Sequence, residues 1–212
     1  MSITLVVTGG APHKSVGPGA IGIFGGAFDP VQNAHLTMAR AALASVGVSK
    51  VLWIPSGRPP HRDPAFASAA DRVAMLRLTI QGEPRFELDE REIRKTSPCY
   101  TVETLEELRA ECGPDTDLVL LMGADQYERF ETWHRWREIP SLARIGLFAR
   151  PPHRLVIPGN AFVVPMPGLD ISSTAIRKRI EAGEPVRGMV PDAVLDYIES
   201  HRLYSSREHK TL

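Results

Sequence analysis

The sequence predicts an α/β fold: a mostly parallel sheet with helices on both faces and a helical segment at the C-terminus. Three observations carry this. Short apolar runs alternate with segments of helical spacing from Ala20 to the C-terminal region. The run DLVLLMG (117–123) is almost continuously apolar, as a strand buried on both faces must be. The chain has 212 residues, enough for one large domain, and shows no internal repeat or low-complexity stretch.

Residues 1–19 stand apart. ITLVV has strand character, but GGAPHKSVGPGA is polar and turn-forming, so a flexible extension is expected. GGAPHKS fails as a P-loop, because His13 stands where the glycine before the lysine belongs. From Ala20 the first strand, AIGIF (20–24), begins. Leu36, Ala39, Leu43 and Val46–Val48 then recur at helical spacing, with Asn33 as a possible N-cap. KVLWIP (50–55) reads as a second strand and the Pro-rich SGRPPHRDPAF (56–66) as a loop. Ser68, followed by Asp71, caps a helix over about 69–81. RFELDE (85–90) alternates like a strand, and 101–112 is helical. After DLVLLMG, helical segments run to about 142. RIGLFAR (144–150) and AFVVPMP (161–167) are strands, and helices over about 172–182 and 191–201 follow. The expected domain is 20–204, with a disordered tail over 205–212.

Composition narrows the function classes. The chain is 43% apolar and 24% charged, ordinary for a soluble protein. Twenty-five basic residues balance twenty-five acidic ones, which argues against sequence-blind nucleic-acid binding. The two cysteines, Cys99 and Cys112, suggest neither a disulfide framework nor a zinc site. No apolar run approaches the ~20 residues of a membrane helix, and MSITLVVTGG has no basic n-region, so a cytoplasmic protein with no membrane partner is expected. Monomer and homo-oligomer are both open.

The chemistry lies in loops that follow strands, which in such a fold meet beyond the carboxyl edge of the sheet. In FGGAFDPVQNAHL (24–36), Gly25 and Gly26 let backbone N–H groups approach a ligand, although they do not fit the GxGxxG spacing. Asp29-Pro30 aims the chain into the next helix, and His35 falls near its N-terminus, where anions are favoured. In DISSTAIRKRI (170–180), Ser172, Ser173 and Thr174 open a helix, and Arg177 shares a face with Ser173 and Thr174. Hydroxyls, free N–H groups and a guanidinium on one turn make a phosphate clamp. Lys178 and Arg179 read as outward-facing. A softer set comprises Arg58, His61 and Arg62 after the second strand, and Asp125, Trp133 and Trp136 after DLVLLMG. Asp125 could accept ribose hydroxyls, and one tryptophan could stack on a flat ring while the other packs in the core on an amphipathic helix.

No nucleophile or general base accompanies this phosphate site: GxSxG, HExxH and CxxC are all missing from the sequence. A phosphate monoester is already largely ionised at neutral pH, with a second pKa of about 6. It can attack another phosphorus unaided, so an enzyme joining two nucleotides need only align them and neutralise charge.

IGIFGGAFDPVQNAHL (21–36) and ISSTAIR (171–177) closely resemble motifs of the bacterial nicotinate-nucleotide adenylyltransferases, members of the HxGH nucleotidyltransferase superfamily. IPSGRPPHR (54–62), YTVETLEEL (100–108), MGADQY (122–127), TWHRW (132–136) and VPDAVLDYIESHRLY (190–204) extend the likeness over Ile21 to Tyr204. The resemblance implies a Rossmann-like sheet and transfer of adenylyl from ATP to nicotinate mononucleotide, giving nicotinate adenine dinucleotide and pyrophosphate. It implies Mg2+ held chiefly by ATP phosphates and water, so no protein metal ligand is named. It assigns the glycine loop (Gly25, Gly26, Phe28), His35, Ser173, Thr174 and Arg177 to ATP, with His35, Gln32 and Arg177 as the catalytic candidates. It assigns His61, Arg62, Tyr100, Thr101, Asp125 and Trp133 to the mononucleotide, with Asp125 at the ribose and Trp133 on the pyridine ring.

The chain departs from the family's GG(T/S)FDPxHxGH at Ala27, Gln32 and Ala34. Gln32, in place of the first histidine, can donate but cannot become cationic, and charge-assisted bonds are roughly twice as strong as neutral ones. The expectation is that Gln32 donates a neutral hydrogen bond to the ATP phosphates and His35 carries the larger role. A phosphopantetheine adenylyltransferase is the rival within the class; the ISSTxIR form together with TWHRW speaks against it. A nucleotide-binding regulatory module is the rival outside it, supported by Gln32 and Ala27 alone.

Overall fold

The computed structural model describes residues 16–58, 65–148 and 161–205. Most of the expected N-terminal extension (1–15), His61 and Arg62, the end of RIGLFAR and most of the tail (206–212) lie outside the described residues. The described end of the expected extension is tied down: the Gly17 N–H donates to the Asp117 carboxylate at 2.6 Å.

The elements are β1 (Ile21–Gly26), α1 (Asn33–Ala41, continued by a π turn over Ala42–Val46), β2 (Lys50–Pro55), α2 (Ala69–Ile80), β3 (Phe86–Leu88), α3 (Arg91–Arg94), α4 (Thr101–Cys112), β4 (Leu118–Gly123), α5 (Ala124–Tyr127), α6 (Ile139–Leu142), β5 (Arg144–Phe148), β6 (Ala161–Val163), α7 (Ser173–Glu181) and α8 (Asp192–Ser200). The strands form one sheet in the order β3-β2-β1-β4-β5-β6. Every pairing is parallel, with Ile21 of β1 opposite both Lys50 of β2 and Leu118 of β4. The order reverses between β1 and β4, and a sheet of this kind opens its crevice there, outside the carboxyl ends of the strands.

Alternation along the strands splits the core in two. Phe24, Val51, Trp53, Val119 and Leu121 face the side covered by α1, α2, α7 and α8, where Met75, Leu76, Ile176, Val194 and Ile198 are buried. Ile21, Ile23, Leu52, Ile54, Leu118, Leu120 and Met122 face α4 and α6, against Val102, Leu105, Leu108 and Ile139. Burial on both faces is why these strands are apolar almost throughout. Among the described residues no helix is long and apolar enough to cross a membrane.

Three expectations are corrected. Asn33 is not the N-cap of α1: Gln32 is, in extended backbone (φ −142°, ψ 165°), and Asn33 instead donates from its side chain to the Gly188 carbonyl at 2.8 Å. The stretch RFELDE is strand only to Leu88, because α3 follows. Trp133 and Trp136 do not share an amphipathic helix. A 3-10 turn over Phe130–Thr132 ends at Trp133, and Arg135 has φ 50°, a left-handed value that no α-helix can include. The local capping signal was sound: Ser68 accepts from the Asp71 N–H at 3.1 Å at the start of α2.

After β2 the chain presses on α3. A Cβ on Gly57 would lie 2.1 Å from the Glu92 carbonyl oxygen, whereas one on Gly25 would meet nothing within 4 Å. Gly57→Ala is therefore expected to cost about 1–3 kcal/mol in urea denaturation, the range of an overpacked site, while Gly25→Ala stays within about 0.5 kcal/mol of the parent.

Candidate functional site

The loop leaving β1 is built around a buried aspartate. Asp29 is 4% exposed. Its carboxylate accepts from the Phe66 N–H at 2.7 Å, the Ala67 N–H at 3.0 Å and the Tyr204 hydroxyl at 2.8 Å. Its backbone carbonyl accepts from Arg177 Nη1 at 2.6 Å. Beneath the loop lies Arg72 of α2, a buried cation whose Nη1 donates to the carbonyls of Ala27 and Ser56 at 2.9 Å each. Burial pulls the Arg72 pKa down, and the Asp29 carboxylate opposes that pull. Burial and the same carboxylate push the Tyr204 hydroxyl well up, so it stays a donor. One carboxylate thus joins the β1 loop, the chain entering α2 and the segment after α8.

Phe28 sits in this loop at φ 50° with its side chain 2% exposed. Its ring meets Phe24, Trp53 and His35 at centroid distances of 5.5, 5.5 and 5.1 Å. The Phe28 side chain is core, so what it can offer a nucleotide is backbone. Gly25 is exposed with open space where a side chain would be, and Gly26 is half-buried.

His35 is the third residue of α1; its own N–H donates to the Gln32 carbonyl at 2.9 Å, and its Nδ1 accepts from the Gln32 N–H at 3.2 Å. That bond assigns the proton of the neutral ring to Nε2. Gln32 is 3% exposed. With its amide oriented so that both ends are satisfied, Nε2 donates to the Ile171 carbonyl at 3.0 Å and Oε1 accepts from the Ser173 N–H at 3.2 Å.

The expected clamp sits against this loop. Ser172 is the N-cap of α7 and accepts from the Ala175 N–H at 3.1 Å. The Ser173 hydroxyl donates to the Pro30 carbonyl at 2.9 Å, and Arg177 Nη2 donates to the Thr174 hydroxyl at 3.3 Å. The Arg177 guanidinium lies 4.3 Å over the ring of Phe66, a side chain 74% exposed. Lys178 and Arg179 are exposed, as the sequence suggested. The start of α7, with its hydroxyls and the Arg177 guanidinium, and the start of α1, with the His35 imidazole, are therefore both attached to the β1 loop at the carboxyl edge.

The mononucleotide candidates form a second group on the same edge. Asp125 is exposed at the start of α5, after β4, with Oδ1 only 2.5 Å from where a Gly123 Cβ would be. Tyr100 is the N-cap of α4 and Thr101 its first residue. The Tyr100 ring lies against His134 at 4.2 Å. Trp133 is half-buried beside Phe130, at 5.7 Å, and borders the same core cluster as Tyr100. The segment after β2 links the groups: the Ser56 N–H donates to the Gly26 carbonyl at 2.8 Å, and the Cys99 N–H donates to the Arg58 carbonyl at 3.2 Å. Glu92 braces this link, accepting from the Thr104 hydroxyl at 2.8 Å and from the Gly57 N–H at 3.4 Å. Burial pushes its carboxyl pKa up.

Sequence reasoning missed Arg72, Tyr204 and His134. Arg72 lies three and four residues before Met75 and Leu76, on the apolar face of α2, and that spacing was the available signal, since a charge is buried only when paired. Tyr204 and His134 gave no such signal.

A cluster of donors suited to phosphate, at the switch point of a parallel sheet, is an arrangement suited to nucleotide chemistry. The family model described as cytidylyltransferase-like matches residues 23–179. A protein of Dechloromonas aromatica (strain RCB) named "Probable nicotinate-nucleotide adenylyltransferase" is 40% identical over 210 residues, covering 87% of this chain and 97% of the relative. One of the same name from Laribacter hongkongensis (strain HLHK9) is 40% identical over 209 residues, covering 88% and 95%. In fold, the chain matches the Plasmodium falciparum nicotinic acid mononucleotide adenylyltransferase complexed with NaAD with a TM-score of 0.72 at 17% identity, over 87% of this chain and 97% of that one. The chain belongs to the nicotinate-nucleotide adenylyltransferase family, within the cytidylyltransferase-like nucleotidyltransferases.

Because the Tyr204 hydroxyl is one of three donors to a buried carboxylate, Tyr204→Phe is expected to lower unfolding free energy by about 1.5–3 kcal/mol, the range for hydrogen bonds to charged groups, read from urea denaturation.

Proposed function

We propose that this chain transfers adenylyl from ATP to nicotinate mononucleotide, releasing pyrophosphate and forming nicotinate adenine dinucleotide, with residues 20–204 as the nucleotidyltransferase domain. An oxygen of the mononucleotide phosphate attacks the ATP α-phosphorus. The new P–O bond forms as the bond to the β-bridging oxygen breaks, in line, and pyrophosphate leaves with the electron pair. The attacking phosphate is ionised at neutral pH, so no protein base is required.

The carrying observation is the meeting of α1 and α7 at the loop after β1. His35 Nε2–H is suited to donate to ATP phosphate oxygens, and Arg177 and Thr174 to hold the triphosphate as charge moves onto the leaving group. The backbone of Gly25, Gly26 and Phe28 is suited to approach the nucleotide. Tyr100, Thr101 and Trp133 are the candidates for the pyridine ring and its carboxylate, and Asp125 for ribose. His61 and Arg62, outside the described residues, are candidates for the mononucleotide through the family motif alone. Among the described residues no three His, Cys, Asp or Glu side chains converge to hold a metal. The donor set is one of hydroxyls, N–H groups and cations, which fits magnesium carried on the phosphate oxygens, where it would neutralise charge on the departing pyrophosphate. The names of the relatives favour nicotinate mononucleotide over phosphopantetheine as acceptor.

Pyrophosphate release should be measured with ATP, magnesium and, in parallel, nicotinate mononucleotide, nicotinamide mononucleotide and phosphopantetheine. Release with nicotinate mononucleotide is expected to dominate, and His35→Ala to lower kcat by about 100- to 1,000-fold. ATP binding without release for any acceptor would favour the regulatory module instead.

A further inference from the structure

The position at which this chain departs most from its family motif is also one of the most buried polar side chains in the site. Gln32 is 3% exposed, and an amide buried without partners costs about 2–7 kcal/mol. Both ends of this amide are used. Nε2 donates to the Ile171 carbonyl at 3.0 Å and Oε1 accepts from the Ser173 N–H at 3.2 Å. The two partners flank Ser172, the N-cap of α7. The Ser173 N–H is one of the helix-start donors that the helix itself cannot satisfy.

We infer, resting on the proposed adenylyl transfer, that Gln32 is a positioning residue: its amide fastens the start of α7, which carries Thr174 and Arg177, to the start of α1, which carries His35. Gln32 is the N-cap of α1, and its own N–H holds His35 Nδ1 at 3.2 Å. A single residue therefore sets the imidazole through its backbone and the clamp helix through its side chain. Two further bonds run between the same segments, from the Ser173 hydroxyl to Pro30 and from Arg177 to the Asp29 carbonyl. Both end on the loop, whereas the Gln32 amide grips the α7 backbone on either side of its cap.

The chemistry of the amide suits this task. It presents a donor and an acceptor side by side and does not titrate. An imidazolium has donors only and could not accept from the Ser173 N–H. The Ile171 carbonyl holds one of the two Nε2 hydrogens, and burial of the side chain to 3% exposure keeps the other from ATP phosphates, the direct donation expected from the sequence. ATP is thus met by His35, Thr174 and Arg177 at a spacing that Gln32 maintains.

The test uses the full chain and two variants, Gln32→Met, of similar shape without hydrogen bonds, and Gln32→Asn, one methylene too short to reach. In the unliganded enzyme, the Ser173 amide resonance should move in each folded variant. With a non-hydrolysable ATP analogue, the side-chain NH2 resonances of Gln32, assigned by their loss in Gln32→Met, should stay near their unliganded positions. Kinetically, KM for ATP should rise about tenfold, the equivalent of one to two hydrogen bonds, with KM for the mononucleotide nearly unchanged. A large shift of the Gln32 NH2 pair on adding the analogue, or an unmoved Ser173 amide in the variants, would overturn the inference. If the parent enzyme releases no pyrophosphate with nicotinate mononucleotide, the functional reading fails, and the unliganded Ser173 resonance still decides the inference.

Discussion

The site depends on one buried negative charge. Taking a carboxylate out of water is expensive unless each oxygen is met by donors, and Asp29 meets that condition with partners from distant parts of the chain. Two are backbone N–H groups at the entrance to α2, and the third is the hydroxyl of Tyr204, past the last helix. Arg72 lies beneath as the balancing cation and holds the β1 and β2 loops by their carbonyls. Any movement of the loop that strips Asp29 of donors leaves an unpaired charge in the interior. The glycine-loop backbone is in this way fixed before a nucleotide arrives, which is what a reaction driven by alignment requires.

The sheet supplies the setting. Parallel strands with the order reversed between β1 and β4 place the β1 loop at the centre of the carboxyl edge. The residues above that edge then have separate tasks. In the proposed reaction, His35, Thr174 and Arg177 present donors to phosphate. Asp29, Arg72 and Gln32 hold those donors in place from below. Tyr100, Thr101, Trp133 and Asp125 form a second group, joined to the first through the Ser56–Gly26 and Arg58–Cys99 bonds. A chain with no nucleophile and no general base is sufficient for this chemistry, because both reacting groups are brought by the substrates.

Much of the fold was legible because its signals are local. The apolar runs became β1, β2, β4 and β5, and the Ser68–Asp71 cap marks α2 where the spacing placed it. The 101–112 helix was read to its ends. The segment after α5 was not, because the left-handed Arg135 interrupts a pattern that looks helical by spacing. In the site, the residues carrying the motif were legible and the bonds between them were not. The Tyr204 hydroxyl reaches Asp29 across 175 positions, and Gln32 meets Ser173 across 141. No periodicity or capping rule links residues so far apart. Gln32 illustrates the consequence: read alone, an amide in place of an imidazole is a weaker phosphate donor, and read in the fold it is a two-ended tie.

The Asp29 carboxylate holds the entrance to α2 on the glycine loop. Amide hydrogen exchange at Phe66 and Ala67, compared between the parent and Asp29→Asn, tests it most directly. These two amides are expected to lose at least about tenfold in protection, a change of about 1.4 kcal/mol or more, while amides of β1 and β4 keep theirs. Unchanged protection at Phe66 and Ala67 in a folded Asp29→Asn protein would contradict it.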